Sequence, residues 1–471
     1  MPAPAPWSRE IDQFQVRTLR APWTGDEVAT LDEEPGATME NTIRGGRSGL
    51  LCAKPLHRAA SSWRKCKVQL HSYRPRSNVS GYYKSLRCYK MIINMRLLAL
   101  TFLSWTVAAS RPNTLKKVAH READFGLRLF QEVLREHKHK NLGFSPYGAS
   151  SALNILQTVS TALRKIRHQI SGSNVSGEHA TRVNLADGLF IQRDLDLTPG
   201  FLKRFQAIFQ RHVAQINFTD PLQAKDILNQ WVENQTDGMI KDLLESNSIS
   251  PLTRLILLSA VSFKGKWVLP FPEKATHSRP FYRSDGSVVQ TQMMANTAKY
   301  NCSEFETPDG EYYDVIELPY EGGDLSMLIA APYEKHVPLS AITNILTPEL
   351  INQWKANMQK LTRLLVLPKF SLVSEVNLKT PLERLGIEDM FSEEKADFSR
   401  LSSERPLYVS EAFQKIKVEV TESGTRASAA TAVILLARMA PLEVIMDHPF
   451  LFLIRHNPTG TLLFIGQVME P

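Results

Sequence analysis

From Leu255 onward, apolar residues cluster and alternate along the chain with the periods of β-strands. Leu255–Leu258, Tyr312–Leu318, Leu325–Ala331, Leu364–Leu367, Phe450–Ile454 and Thr461–Val468 are short apolar runs, and each predicts a strand. Ile416, Val418 and Val420 alternate with Lys415, Lys417 and Glu419, so the strand they predict has one apolar and one wet face. The earlier part reads differently. Ala123, Leu127, Phe130 and Leu134 recur at helical spacing, ahead of a basic Lys138-His139-Lys140 that suits a helix C-terminus. A second helix is predicted from Leu222 to Asn234, with Ala224, Ile227, Leu228 and Trp231 on one face. Thr347-Pro348 reads as an N-cap and first helical residue, followed by a buried stripe of Leu350, Ile351, Trp354 and Met358. Helices early and strands late predict an α+β fold rather than alternating βαβ units.

One segment fits neither pattern. Residues 421 to 441 contain no aromatic side chain, and their only charges are Glu422, Arg426 and Arg438. Small and β-branched residues fill the middle, so the segment could join a sheet as a strand without needing much room. It ends in Arg438-Met439-Ala440-Pro441, a single basic residue after an apolar run, which is what a trypsin-like protease cuts. If Thr425 faces inward as a strand, so do Ala427, Ala429, Thr431, Val433 and Leu435, all small or apolar, while Arg426 points outward. Gly424 supplies a permissive backbone where the strand would begin.

Charge and cysteine usage alter the picture at the other end. Of the net charge of +8 over 471 residues, residues 1–90 carry +7, from 15 Lys+Arg against 8 Asp+Glu, which leaves +1 for everything after them. The basic balance therefore belongs to the leader and argues neither for nucleic acid nor for an anionic membrane. Those 90 residues are rich in Pro, Ser, Arg and Gly, lack sustained periodicity, and are assigned no fold. Residues 95 to 110 follow a positive charge with an apolar run and small residues, the pattern of a secretory signal cut after Ala109 and too short for a membrane span. Met91 or Met95 then reads as the initiator, with a signal peptide over 91–109 and a single domain over 111–471. Three of the four cysteines, Cys52, Cys66 and Cys88, lie in the leader, so the mature chain keeps Cys302 alone and no internal disulfide.

Catalytic spacings are missing from the sequence. It has no Gly-x-Ser-x-Gly elbow, no His-Glu-x-x-His helix, no Cys-x-x-Cys and no phosphate loop, so no cofactor or metal is expected. His448 and His456 lie beside apolar strands and read as structural. Asn174, Asn217, Asn234 and Asn301 each begin an Asn-x-Ser/Thr triplet, and with a signal they fit a secreted glycoprotein.

Over residues 119–471 the chain resembles the serpins. The resemblance rests on Asn141-Leu-Gly-Phe-Ser-Pro146, Leu318-Pro-Tyr320 with Leu325-Ser-Met327, Leu367-Pro-Lys-Phe370, Ala396-Asp-Phe-Ser399, Glu422-Ser-Gly-Thr425, Asp447-His-Pro-Phe450 and the closing Gly466-Gln-Val468, in that order. It implies a metastable fold of three β-sheets and about nine helices with an exposed reactive-centre loop. Arg438–Met439 would be the reactive bond, and Glu422, Gly424, Thr425, Ala427, Ala429 and Thr431 the hinge and inserting strand. A target protease would form an acyl-enzyme at Arg438, and the freed loop would enter the large sheet. The bait and the ending Arg455-His-Asn-Pro-Thr-Gly460 resemble the branch that acts on tissue-type and urokinase-type plasminogen activators. That branch implies a secreted monomer that is not an enzyme and that binds vitronectin near Phe190–Arg193. A non-inhibitory binding protein of the same fold is the alternative.

Two departures from the family pattern carry expectations. Ser259 and Ser262 stand where Asn and Tyr are usual, which predicts missing hydrogen bonds where the sheet must open. The stretch between Ile170 and Leu185 is shortened, removing the helix that commonly supplies a heparin site. The basic run Arg164-Lys165-Ile166-Arg167-His168 remains, as a solvated face or a glycosaminoglycan site. The leader generates its own test: N-terminal sequencing of the secreted protein is expected to read from Ser110, and peptides from residues 1–90 would refute the assignment.

Overall fold

The computed structural model describes residues 111–156, 161–172, 182–198, 200, 212–245, 247–402, 407–422 and 441–471. All of them fall within one unit, Ala109–Pro471. The chain enters through the helix Arg111–Leu134, whose buried Ala123, Leu127 and Phe130 follow the expected spacing. It ends before Lys138-His139-Lys140, which lie in the following turns. There the backbone carbonyls of His137 and Lys140 accept hydrogen bonds from Gln467 Nε2, each at 2.9 Å. The helices Pro146–Leu156 and Thr161–Gly172 follow.

The helix Pro221–Gln235 begins where Asp220 accepts from the N–H of Gln223 at 3.2 Å and Pro221 occupies the first helical position. Its buried stripe is Ala224, Leu228 and Val232. Ile227, expected on that face, is exposed, because the i, i+4, i+8 row leads inward and leaves Ile227 to one side. Thr347 caps the helix Pro348–Asn357 as expected, accepting from the N–H of Leu350 at 3.1 Å. Ile351 and Trp354 are buried there, and the Trp354 indole donates to the Tyr313 hydroxyl at 3.0 Å.

Fourteen strands are described: β1 Leu142–Phe144, β2 Arg182–Gln192, β3 His212–Ile216, β4 Leu255–Lys264, β5 His277–Tyr282, β6 Val288–Glu306, β7 Tyr312–Pro319, β8 Leu325–Pro332, β9 Gln359–Pro368, β10 Phe370–Asn377, β11 Glu411–Val420, β12 Leu442–Ile445, β13 Phe450–His456 and β14 Thr461–Val468. They form a five-stranded sheet in the order β10-β11-β4-β2-β3 and a nine-stranded one in the order β1-β14-β13-β8-β7-β6-β9-β12, with β5 also on β6. The α+β class is as expected. The expected second and third sheets join into one ladder, because the 19 residues of β6 are long enough to pair β5, β9 and β7 in turn. Seven α-helices and two 3-10 turns lie among the described residues.

The core lies between the two sheets. Phe263, Ile416 and Val418 from the five-stranded sheet pack in one cluster with Phe452, Phe464 and Ile329 from the other. Phe370 meets Phe450 and Phe452 at centroid separations of 5.9 and 5.7 Å. Among the described residues the one cysteine, Cys302, is free, so stabilisation there is drawn from burying such side chains rather than from a disulfide. Among the described residues, no helix is long and apolar enough to cross a membrane. The buried Tyr313–Trp354 bond gives a test of the helix against the nine-stranded sheet. Tyr313→Phe strands the indole N–H and is expected to lower stability by about 1–3 kcal/mol, read as a shifted urea midpoint with an unchanged slope.

Candidate functional site

The site is the junction between β4 and β11 in the middle of the five-stranded sheet. β11 pairs with β10 antiparallel and with β4 parallel, and β4 pairs with β2 antiparallel. The parallel register runs from Glu411↔Ile256 to Val418↔Phe263 and stops there. Beyond it, β11 continues to Val420 against β10, and Lys264 of β4 pairs with Arg182 of β2. The two strands therefore part company just before the segment that the sequence marks as loop. Parallel pairing is slightly weaker per residue than antiparallel pairing, so this is a soft line in the sheet.

The end of β11 is fastened at that point. The Trp267 indole donates to the Thr421 carbonyl at 3.0 Å and stacks on Tyr320 at 4.3 Å, with Tyr320 edge-on to Phe263. The Glu422 carboxylate accepts from Thr276 Oγ1 at 2.8 Å and pairs with Lys369 at 2.9 Å, its side chain only 12% exposed. Burial pushes its pKa upward, but the bonds from Lys369, its own backbone and Thr276 outweigh that and hold it below the ordinary carboxylate value. Of the residues assigned to hinge and reactive bond, Glu422 sits in this clasp. Gly424, Thr425, Ala427, Ala429, Thr431, Arg438 and Met439 lie outside the described residues. The chain is described again at Pro441, and β12 then pairs parallel with β9, leaving Leu442 exposed.

Beneath the junction, the helix Pro146–Leu156 is tied to both of its sides. The Ser145 N–H donates to Gln414 Oε1 at 2.7 Å, and Gln414 Nε2 returns a bond to the Ser145 carbonyl at 3.0 Å, which joins the helix start to β11. Gly148 lies so close to β4 that a Cβ there would fall 2.8 Å from Val261 Cγ2 and 2.9 Å from Ser259 Oγ. On the far side, buried Asp187 of β2 accepts from Ser151 Oγ at 2.7 Å, Ser259 Oγ at 3.2 Å and Arg167 Nη1 at 2.8 Å.

Ser259 is therefore bonded, contrary to expectation, because the neighbouring strand offers a carboxylate within reach of its short side chain. Ser262 behaves as expected, its hydroxyl buried without a partner. In the basic run, Ile166 is fully buried and Arg167 is committed to Asp187, so a sulfated polysaccharide would meet a narrower basic face there. Phe190, Ile191 and Gln192 are buried within β2, and of the stretch assigned to vitronectin only Arg193 is exposed.

Both C-terminal histidines have structural partners. His448 Nε2 meets the Pro332 carbonyl at 2.8 Å and Nδ1 meets Asp447 at 3.0 Å, while His456 Nδ1 meets Thr459 Oγ1 at 2.7 Å. Among the sequons, Asn234 is exposed at a helix end, and Asn301 is exposed with its amide bonded to Glu317 at 3.0 Å. Asn217 is half-buried and accepts from the Thr219 hydroxyl at 2.6 Å, and Asn174 lies outside the described residues. No group of His, Cys, Asp or Glu able to hold a metal occurs among the described residues.

Comparison with known proteins places these features. The family profile "Serpin (serine protease inhibitor)" matches residues 120–471. Plasminogen activator inhibitor 1 of Sus scrofa is 50% identical over 396 residues, covering 79% of this chain and 97% of the relative. The Bos taurus protein of that name is 52% identical over 366 residues, covering 74% and 91%. The crystal structure of native protease nexin-1 with heparin superposes with a TM-score of 0.70 at 36% identity, covering 76% of this chain and all of that one.

The clasp at Glu422 is expected to hold the end of β11. Glu422→Lys sets two cations together and should lower stability by about 1–3 kcal/mol, and adding Lys369→Glu should recover part of the loss. Because the folded pKa lies below the ordinary value of 4.5, the clasp contributes in full above that pH and is lost as pH falls through the lowered folded value. Urea unfolding of the single and double variants at pH 7 and in acid reads both effects, and equal midpoints would refute the clasp.

Proposed function

The chain belongs to the serpin family of serine protease inhibitors, and from that premise we propose that it is a secreted suicide inhibitor of tissue-type and urokinase-type plasminogen activators. It acts as an inhibitor rather than as an enzyme. The observation that carries the mechanism is the parallel β4–β11 junction, with the proposed inserting strand following β11 in the sequence. A chain that leaves β11 and folds back must run antiparallel to it. Lying between two mutually parallel strands, it is antiparallel to both, so one parallel ladder becomes two antiparallel ones.

The trigger in this reading is Arg438. A trypsin-like pocket must satisfy a buried carboxylate, and a guanidinium presents a fork matched to it. Attack at the Arg438 carbonyl gives an acyl-enzyme and frees the loop at its far end. Residues from Thr425 onward then enter with Thr425, Ala427, Ala429 and Thr431 facing inward, and the acylated protease travels with Arg438. About a dozen inserted residues, at about 0.5–1.5 kcal/mol net per hydrogen bond, yield on the order of 10 kcal/mol. That matches a whole domain's stability of about 5–15 kcal/mol, so the uncleaved form is held by kinetics.

Secretion rests on the apolar run of residues 95–109, and the choice of targets rests on Arg438-Met439 together with the two relatives of that name. Vitronectin, if bound through the stretch assigned to it, would meet Arg193 as the one exposed side chain there. Mixing the secreted protein with urokinase is expected to give a complex that survives SDS, and Arg438→Ala is expected to abolish it. Clean cleavage at Arg438 without a complex would assign the chain to non-inhibitory members of the fold.

A further inference from the structure

Beyond residue 90 the chain is almost neutral, with a net charge of +1, yet one cleft gathers four cationic side chains, a histidine and no carboxylate in its lining. Lys116, Lys117, His120 and Arg121 come from the helix Arg111–Leu134, at a spacing that sets them along one side of it, and Arg455 enters from β13. The cleft holds about 500 Å³, the size of a small-molecule site. Its floor includes Ile351 and Leu462, each 2% exposed. His120 has a carboxylate partner, Glu349 at 2.9 Å. Lys116, Lys117, Arg121 and Arg455 make no ion pair among the described residues.

Arg455 is the centre of this arrangement. The β13–β14 register shifts between Ile454 and Arg455, the kind of irregularity that re-aims a side chain. Its guanidinium donates from Nη2 to Asn352 Oδ1 at 2.7 Å, while Nε is buried without a partner. Gly460, at φ +83°, leaves room for it: a Cβ there would sit 3.0 Å from Nη2. Burial lowers the Arg455 pKa, offset only by Glu317, which is itself bonded to Lys355 and Asn301. Arg167 makes the contrast, a largely buried guanidinium that has its carboxylate in Asp187 at 2.8 Å. Arg455 has the same need and no such partner.

We propose that the cleft binds a compact organic or inorganic polyphosphate, with Arg455 taking one phosphate at the floor and Lys116, Lys117 and Arg121 neutralising the others at the rim. Four cations without counter-ions exceed the single charge of a carboxylate ligand. Guanidinium forks fit phosphate oxygens, and ammonium groups serve as point charges around them. The volume admits a small multiply charged ligand.

Sulfate esters share this chemistry, so the test has two arms. Calorimetric titration of the secreted protein with tripolyphosphate at physiological salt is expected to give one site, and thermal unfolding should shift upward with ligand concentration. Arg455→Gln should weaken binding at least tenfold. Since Arg455 is partly buried, Lys117→Gln with Arg121→Gln on the exposed rim provides an independent variant with the same expected loss. Lys360→Gln, an exposed lysine at the start of β9 outside the cleft lining, should leave binding unchanged. The second arm titrates a short heparin oligosaccharide. Binding of that probe alone, lost in the same variants, would overturn the phosphate assignment. No saturable binding of tripolyphosphate, or binding indifferent to both cleft variants, would overturn the site.

Discussion

The helix Pro146–Leu156 is bonded to both sides of the β4–β11 junction, and every larger motion of the molecule has to reckon with those bonds. At its start it exchanges two neutral hydrogen bonds with Gln414 of β11. Further along, Ser151 reaches the Asp187 carboxylate, which Ser259 and Arg167 also bond. Hydrogen bonds to a charged group contribute about 1.5–3 kcal/mol against about 0.5–1.5 for neutral ones. The attachment to β2 and β4 is therefore the stronger of the two. Ser259, the side chain that departs from the family pattern, adds its bond to that stronger side.

The upper end of the junction obeys a different chemistry. Here Trp267 and Tyr320 form a stacked wall, and the polar contacts are made at its edge by Thr421 and Glu422. A strand leaving this wall loses an ion pair to Lys369 but keeps its register with β10, since that ladder reaches Val420. The clasp thus restrains the loop's root without joining β11 to β4.

Much of this was legible in the sequence where chemistry resides in residue identity or in short-range periodicity. Strands β8, β13 and β14 were read because nearly every residue in them is buried, β7 because Val315, Ile316 and Leu318 make a buried apolar run, and the helix at Pro348 because Thr347-Pro348 is a local signal. Strand β6 escaped because exposed polar residues such as Gln290, Thr297 and Lys299 interrupt any apolar run along its 19 residues. β2 escaped as well, although eight of its eleven residues are buried, since the polar Arg182, Asn184, Asp187 and Gln192 dilute the pattern. Arg438 was conspicuous, being a single basic residue at the end of an apolar run. The parallel junction that gives that segment its destination was not, because Glu411 and Ile256 are brought together only by tertiary pairing.

Long-range charge pairing is the part that sequence reasoning could least supply. Arg167 read as one cation in a surface run, and the structure turns it inward onto Asp187, twenty residues away in sequence. Arg455 read as part of a family-like ending, and the structure leaves its Nε buried without a partner beneath a rim of lysines. Two guanidiniums, similarly withdrawn from water, so come to opposite states because one faces a strand carrying a carboxylate and the other faces a helix carrying cations. A buried charge that has its partner fixes geometry, and here it fixes which half of the sheet stays with the helix. A buried charge that lacks one creates a demand, which the fold meets only in part through the single amide of Asn352.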